Sequence, residues 1–129
     1  MVMAASTPKI AIVEDDSAIS QMYRIKFEAE GFKVETAGDG KTGLAMIENV
    51  NPDIVLLDLM MPEMNGDEVL AKMRKQPWGK NTTVIILTNM GREEAPKHLA
   101  ELGVDSYIVK AEMTPRQVAD MVKKKLGVA

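Results

Sequence analysis

The chain has no cysteine, which excludes disulfides, thiolate metal sites and cysteine catalysis. No stretch approaches the ~20 consecutive apolar residues of a membrane span. The opening segment, Met1 to Pro8, lacks the continuous apolar core of a signal peptide. Charge of one sign is also scarce: a net charge of −3 gives no electrostatic drive toward nucleic acid or an acidic membrane. The one histidine, His98, has no metal-ligand neighbours in sequence and reads as solvated. Internal linkers, low-complexity segments and short-period repeats are missing too. The expectation is a cytoplasmic protein with no nucleic-acid or membrane partner, built as a short tail over residues 1–8 and one domain over 9–127. At 129 residues, with an apolar fraction of 46% and a charged fraction of 27%, the chain has the balance of an ordinary globular domain.

What is present is a set of four short apolar runs, each ending on a residue suited to phosphate or metal chemistry. Ile10-Ala11-Ile12-Val13 runs into Glu14-Asp15-Asp16, and Ile54-Val55-Leu56-Leu57 into Asp58. Val84-Ile85-Ile86-Leu87 runs into Thr88, and Tyr107-Ile108-Val109 into Lys110. Short runs rich in Ile and Val, bounded by turn signals, read as buried strands. The stretch 32–36, which alternates apolar and polar residues, reads as a half-covered edge strand.

Helical patterns separate these strands. Ile19, Met22, Tyr23 and Phe27 recur at helical spacing before Gly31. Leu44 and Ile47 mark a second helix ending before Asn51-Pro52, and Val69, Leu70 and Met73 mark a third after Gly66. A short fourth helix is expected from Glu93-Glu94, because Pro96 lacks a backbone donor and fits only a first turn. The fifth carries Thr114 as N-cap, Pro115 at its first position and Gln117 completing a capping box, with a lysine run at its carboxyl end.

The order is βα repeated five times, and right-handed crossovers then place helices on both faces of the sheet. The predicted fold is α/β: a doubly wound, five-stranded parallel sheet in flavodoxin-like order 2-1-3-4-5, with five helices. In that order strands 1 and 3 adjoin at the switch point, where Glu14, Asp15 and Asp58 would meet. Three carboxylates repel by about 4 kcal/mol per pair at 4 Å and an effective dielectric near 20. Mg²⁺, an oxygen-seeking cation, and Lys110 are the expected counter-charges. A carboxylate in this setting can attack phosphorus to form an acyl phosphate, with Thr88 and Lys110 stabilising the transferring oxygens.

With these residues the chain resembles the receiver domains of two-component response regulators, over essentially Lys9 to Leu126. The likeness rests on Glu14-Asp15, on Asp58 within the segment Asp58 to Gly66, on Thr88, and on Tyr107 three residues before Lys110. It implies Asp58 as phosphoacceptor, and Mg²⁺ held by Glu14, Asp15, Asp58 and the Met60 backbone carbonyl. Thr88 and Lys110 would bind the phosphoryl group, and Thr88 and Tyr107 would form the switch. A phosphohistidine on a sensor histidine kinase or histidine phosphotransfer domain would be the donor. The output would be altered protein binding through the fourth helix, fifth strand and fifth helix. The resemblance makes the protein a phosphoacceptor switch rather than an enzyme, catalysing only its own phosphorylation and dephosphorylation. It also places the residues two beyond the acceptor and two beyond the threonine, Met60 and Met90, beside the path of the hydrolytic water. With Asn89, these would tune the phosphate's lifetime toward slow hydrolysis.

Two positions depart from the family pattern. Ala111 follows Lys110 where proline is usual, and Asn89 follows Thr88 where a small residue is common. Other functions compete less well. A pseudo-receiver need not keep the acidic set, Thr88 and Lys110. A Mg²⁺-dependent phosphohydrolase commonly has a second Asp two residues after its nucleophile, where this chain has Met60. Gly40-Lys41-Thr42 mimics the end of a P-loop, but the loop's first glycine would fall at Glu35.

Overall fold

The computed structural model describes residues 7–128, so most of the expected N-terminal tail lies outside the described residues. Five strands form one parallel sheet in the order β2-β1-β3-β4-β5. They are β1 (Lys9–Val13), β2 (Lys33–Ala37), β3 (Ile54–Leu57), β4 (Thr83–Thr88) and β5 (Ser106–Val109). Between and after them run α1 (Ser17–Ala29), α2 (Gly40–Val50), α3 (Gly66–Arg74) and α4 (Pro115–Leu126). The doubly wound sheet, its strand order and a helical segment after every strand are as the sequence predicts.

The period of two along the strands divides the core. Ile10, Ile12, Ile54, Leu56, Ile85 and Leu87 face Tyr23 and Phe27 of α1 and Val118 and Val122 of α4. Ala11, Val13, Val55, Leu57, Val84 and Ile86 face Ile47 of α2 and Val69, Leu70 and Met73 of α3. Alternate residues of the same strands thus serve opposite faces, which is why the central strands read as unbroken apolar runs.

Helix ends follow local chemistry. Asp16 caps α1, its carboxylate accepting from the Ala18 and Ile19 amides. Asp39 caps α2 through the Thr42 amide, so Gly40-Lys41-Thr42 is a capped first turn rather than a phosphate loop. Thr114 and Gln117 form the reciprocal capping box of α4, with Pro115 at its start.

The fourth crossover differs from a continuous α-helix. It consists of two 3₁₀ segments, Arg92–Glu94 and Lys97–Leu102. Ala95 is extended, at ψ 146°, because the residue before a proline is pushed out of the helical region. Pro96 then opens the second segment, which Gly103 ends in the left-handed region at φ 73°. Along the two segments Leu99 is the residue that buries fully, with Ala95 and Leu102 partly buried against the same core.

Arg74 grips the far end. Its guanidinium donates to the carbonyls of Leu102 (2.7 Å), Gly79 (2.8 Å), Thr82 (2.7 Å) and Gly103 (2.9 Å), tying α3 to the approach to β4 and to the end of the crossover. Arg74→Met keeps the apolar stem and removes all four bonds. It is expected to cost about 2–4 kcal/mol in urea denaturation, since bonds to a charged donor are the stronger kind and the freed carbonyls only partly rehydrate. A loss below about 0.5 kcal/mol, the range of an ordinary surface change, would show that the guanidinium does not hold the crossover.

Candidate functional site

Strand register builds the site. Val13 pairs with Leu57, so the next residues, Glu14 and Asp58, emerge side by side at the carboxyl edge of the sheet. Leu57 pairs with Ile86 and Thr88 with Val109, which brings Thr88 and Lys110 to the same edge. The strand ladder continues at the site itself: the Asp58 amide donates to the Val13 carbonyl at 3.0 Å, and the Glu14 amide to the Ala37 carbonyl at 3.0 Å.

Glu14, Asp15 and Asp58 each offer a carboxylate oxygen, and these oxygens lie within 4.8 Å of one another. Glu14 and Asp58 are buried, at 5% and 6% exposure, while Asp15 faces solvent. Lys110 reaches between the two buried acids: its Nζ donates to Asp58 Oδ2 at 3.0 Å and pairs closely with Glu14. The other Asp58 oxygen accepts from the Met60 amide at 3.2 Å. Burial pushes the Glu14 carboxyl above its ordinary value, against the hydrogen bond from Lys110. Burial also opposes the Lys110 charge, but the bonds to Glu14 and Asp58 outweigh it and hold the ammonium protonated above its usual range.

One ammonium against three carboxylates leaves an excess of negative charge. The oxygen spacing suits a small hard cation, since octahedral ligands about 2.1 Å from a metal lie about 3 to 4 Å apart. The residues present can therefore hold a metal ion by a modest contraction.

A cleft of about 310 Å³ opens over this cluster, lined also by Ile19, Met60, Thr88 and Asn89. Met60 stands at its mouth with 58% of its surface exposed. Thr88 is fully buried, and its Oγ1 accepts from the Met90 amide at 3.3 Å, which leaves the hydroxyl proton free to donate. The Met90 side chain does not line the cleft; it packs against the apolar cluster on the α2 and α3 face. Tyr107 packs against the same cluster and donates its hydroxyl to the Met90 carbonyl at 2.8 Å. Every peptide bond among the described residues is trans, so Lys110 meets Ala111 through an ordinary trans bond, and Lys110–Glu112 form a short 3₁₀ turn.

The model of the response regulator receiver domain matches residues 10–123, most of the chain. The chain belongs to that family. Receiver domains serve phosphorylation-type signalling. The phosphate regulon transcriptional regulatory protein PhoB of Rhizobium meliloti is 37% identical over 112 residues, covering 87% of this chain and 49% of that protein. The transcriptional regulatory protein ResD of Bacillus subtilis is 37% identical over 115 residues, covering 89% and 46%. This receiver domain thus spans about half the length of the relatives it matches. Among solved structures, a CheY-like receiver domain protein from Methanospirillum hungatei superposes with a TM-score of 0.84 at 35% identity, covering 95% of both chains. The chemotaxis protein CheY4 of Vibrio cholerae gives 0.83 at 28% identity, covering 92% of this chain and 98% of that one.

The structure brings Glu14, Asp15, Asp58, Met60, Thr88, Asn89 and Lys110 to one cleft and sets Tyr107 beside it. Arg92 was not legible in the sequence as part of this region. Its guanidinium lies over the Tyr107 ring, 5.8 Å from the centroid, and bonds to Glu112 at 2.9 Å. Partners 15 and 20 residues away leave no periodic trace in sequence.

Proposed function

We propose that this receiver domain accepts a phosphoryl group on Asp58, with Mg²⁺, from the phosphohistidine of a sensor histidine kinase or histidine phosphotransfer domain. One observation carries the reading: Asp58 is buried at a strand end beside two further carboxylates, with Lys110 on one oxygen and the Met60 amide on the other. Glu14, Asp15, Asp58 and the Met60 carbonyl would hold Mg²⁺, which supplies positive charge to the transferring oxygens. An Asp58 oxygen attacks phosphorus, the donor's N–P bond breaks, and the imidazole leaves with a proton. Lys110 is within reach of the arriving phosphoryl oxygens, and the Thr88 hydroxyl has a proton to donate to them. The domain's only catalysis is then its own phosphorylation and dephosphorylation, in the cytoplasm. The output face is the 3₁₀ crossover, β5 and α4, through which protein binding changes.

The test is incubation with acetyl phosphate and Mg²⁺ followed by intact-mass measurement. One adduct of the mass of HPO₃ is expected, and none with excess chelator. No adduct, or an adduct indifferent to chelator, would end this reading.

The phosphate should be long-lived. Hydrolysis needs a water in line with phosphorus, opposite the Asp58 oxygen. Met60 stands at the cleft mouth, and its thioether orients a water only weakly. Met60→Asn supplies an amide there and is expected to shorten the phosphate half-life by roughly tenfold, about 1.4 kcal/mol of barrier. Met90→Glu, on a side chain that packs away from the cleft, should change it less. Equal decay in the wild type and Met60→Asn would show that Met60 does not govern access of water.

A further inference from the structure

We propose that Arg92 is a positioning residue for the phosphoryl-accepting site, acting through Tyr107 and the Met90 backbone on Thr88. This rests on the reading of Asp58 as phosphoacceptor given above. The guanidinium makes three contacts at once. It covers the Tyr107 ring, donates to the Tyr107 carbonyl at 3.1 Å, and bonds Glu112 at 2.9 Å. The first two fix both the ring and the main chain of β5 to the loop after β4. The third reaches the 3₁₀ turn that begins with Lys110.

From Tyr107 the connection runs inward. Its hydroxyl donates to the Met90 carbonyl at 2.8 Å, and the Met90 amide donates to Thr88 Oγ1 at 3.3 Å. Thr88 thus lies at one end of the clamp and the turn that opens with Lys110 at the other, with Arg92 in the middle. None of the clamp's bonds goes to Asp58. Arg92 thus fixes Tyr107 from the side opposite its hydroxyl bond to Met90 and preorganises the loop that follows Thr88. Arg92 and Glu112 are both 56% exposed, so their ion pair alone is weak and screened by salt. The planar fork, which stacks on an aromatic ring while donating in two directions, is what a lysine cannot reproduce.

The experiment uses the whole chain labelled with 3-fluorotyrosine. Two tyrosines give two fluorine resonances, assigned with Tyr107→Phe. In Arg92→Ala the Tyr107 resonance should move toward that of the free amino acid, while that of buried Tyr23 stays in place. Arg92→Lys and Glu112→Gln should give intermediate shifts. Phosphoryl uptake from phosphoramidate should slow by roughly fivefold in Arg92→Ala, the low end of coupling between sites, with Mg²⁺ affinity unchanged. A Tyr107 resonance that stays put, or that moves only together with Tyr23, overturns the inference. So does equal uptake by the wild type and Arg92→Ala, which leaves the proposed function standing. No uptake by the wild type overturns the function instead, and the fluorine arm then still decides whether Arg92 holds Tyr107.

Discussion

Asp58→Asn is expected to take up no phosphoryl group and to be at least as stable as the wild type. An amide keeps the shape and can still accept from the Met60 amide, but it has no anionic oxygen to attack phosphorus. Uptake should fall below detection, a loss of at least about a thousandfold for removal of a nucleophile. Stability should move the other way. Asp58 faces two carboxylates, Glu14 and Asp15, and one ammonium, Lys110. Removing its charge deletes two repulsions, from oxygens within 4.8 Å, against one attraction at 3.0 Å, while the Glu14–Lys110 pair survives. A gain of about 1 kcal/mol in urea denaturation without Mg²⁺ is expected, of the kind seen when functional groups are held at a cost to stability. Adding Mg²⁺ should raise the midpoint of the wild type and have much less effect on the variant. An adduct retained by Asp58→Asn would place the phosphoacceptor elsewhere.

Gly66→Ala should be among the most damaging single methyls in the molecule. A Cβ on Gly66 would sit 2.0 Å from the Asp58 carbonyl oxygen and 2.9 Å from its carbon, and neither is a flexible side chain that can step aside. Gly66 opens α3, and its amide donates to the Leu59 carbonyl at 2.9 Å, closing the loop from β3. Accommodating the methyl requires lifting that loop, which carries the Met60 amide away from Asp58. A loss of about 3 kcal/mol or more is expected in denaturation, with uptake reduced by roughly tenfold in the protein that folds. Gly38→Ala is the control: its Cβ meets nothing within 4 Å, so its stability should be nearly unchanged. Equal effects of the two substitutions would mean that the close approach at Gly66 is not what selects glycine.

The parts of this molecule written in local pattern were legible in the sequence. Each apolar run ending on Glu14, Asp58, Thr88 or Lys110 is a strand or its edge, and parallel pairing alone brings those four residues together. The box of Thr114, Pro115 and Gln117 is likewise a local code for one helix start. The fourth crossover was only half legible. Pro96 signals an interruption, but whether a short α-helix or two 3₁₀ segments result depends on how Leu99 and the grip of Arg74 meet the sheet. Contacts between distant residues were not legible at all. Arg74 reaches Leu102, 28 residues on, and Arg92 reaches Glu112, 20 residues on. Met90 shows a finer limit, because position along the chain places it near the site while its side chain packs against the apolar cluster instead of lining the cleft.

Met90 links Thr88 to Tyr107 with its amide and its carbonyl, and neither bond involves the side chain. Over evolutionary drift, position 90 can exchange one side chain for another without cutting the connection, with proline, which has no amide hydrogen, as the exception. At position 90 the link is therefore carried by the main chain, while its two ends are the Thr88 and Tyr107 side chains. The Met90 side chain, and with it the packing beside the site, can thus change while the backbone link is kept.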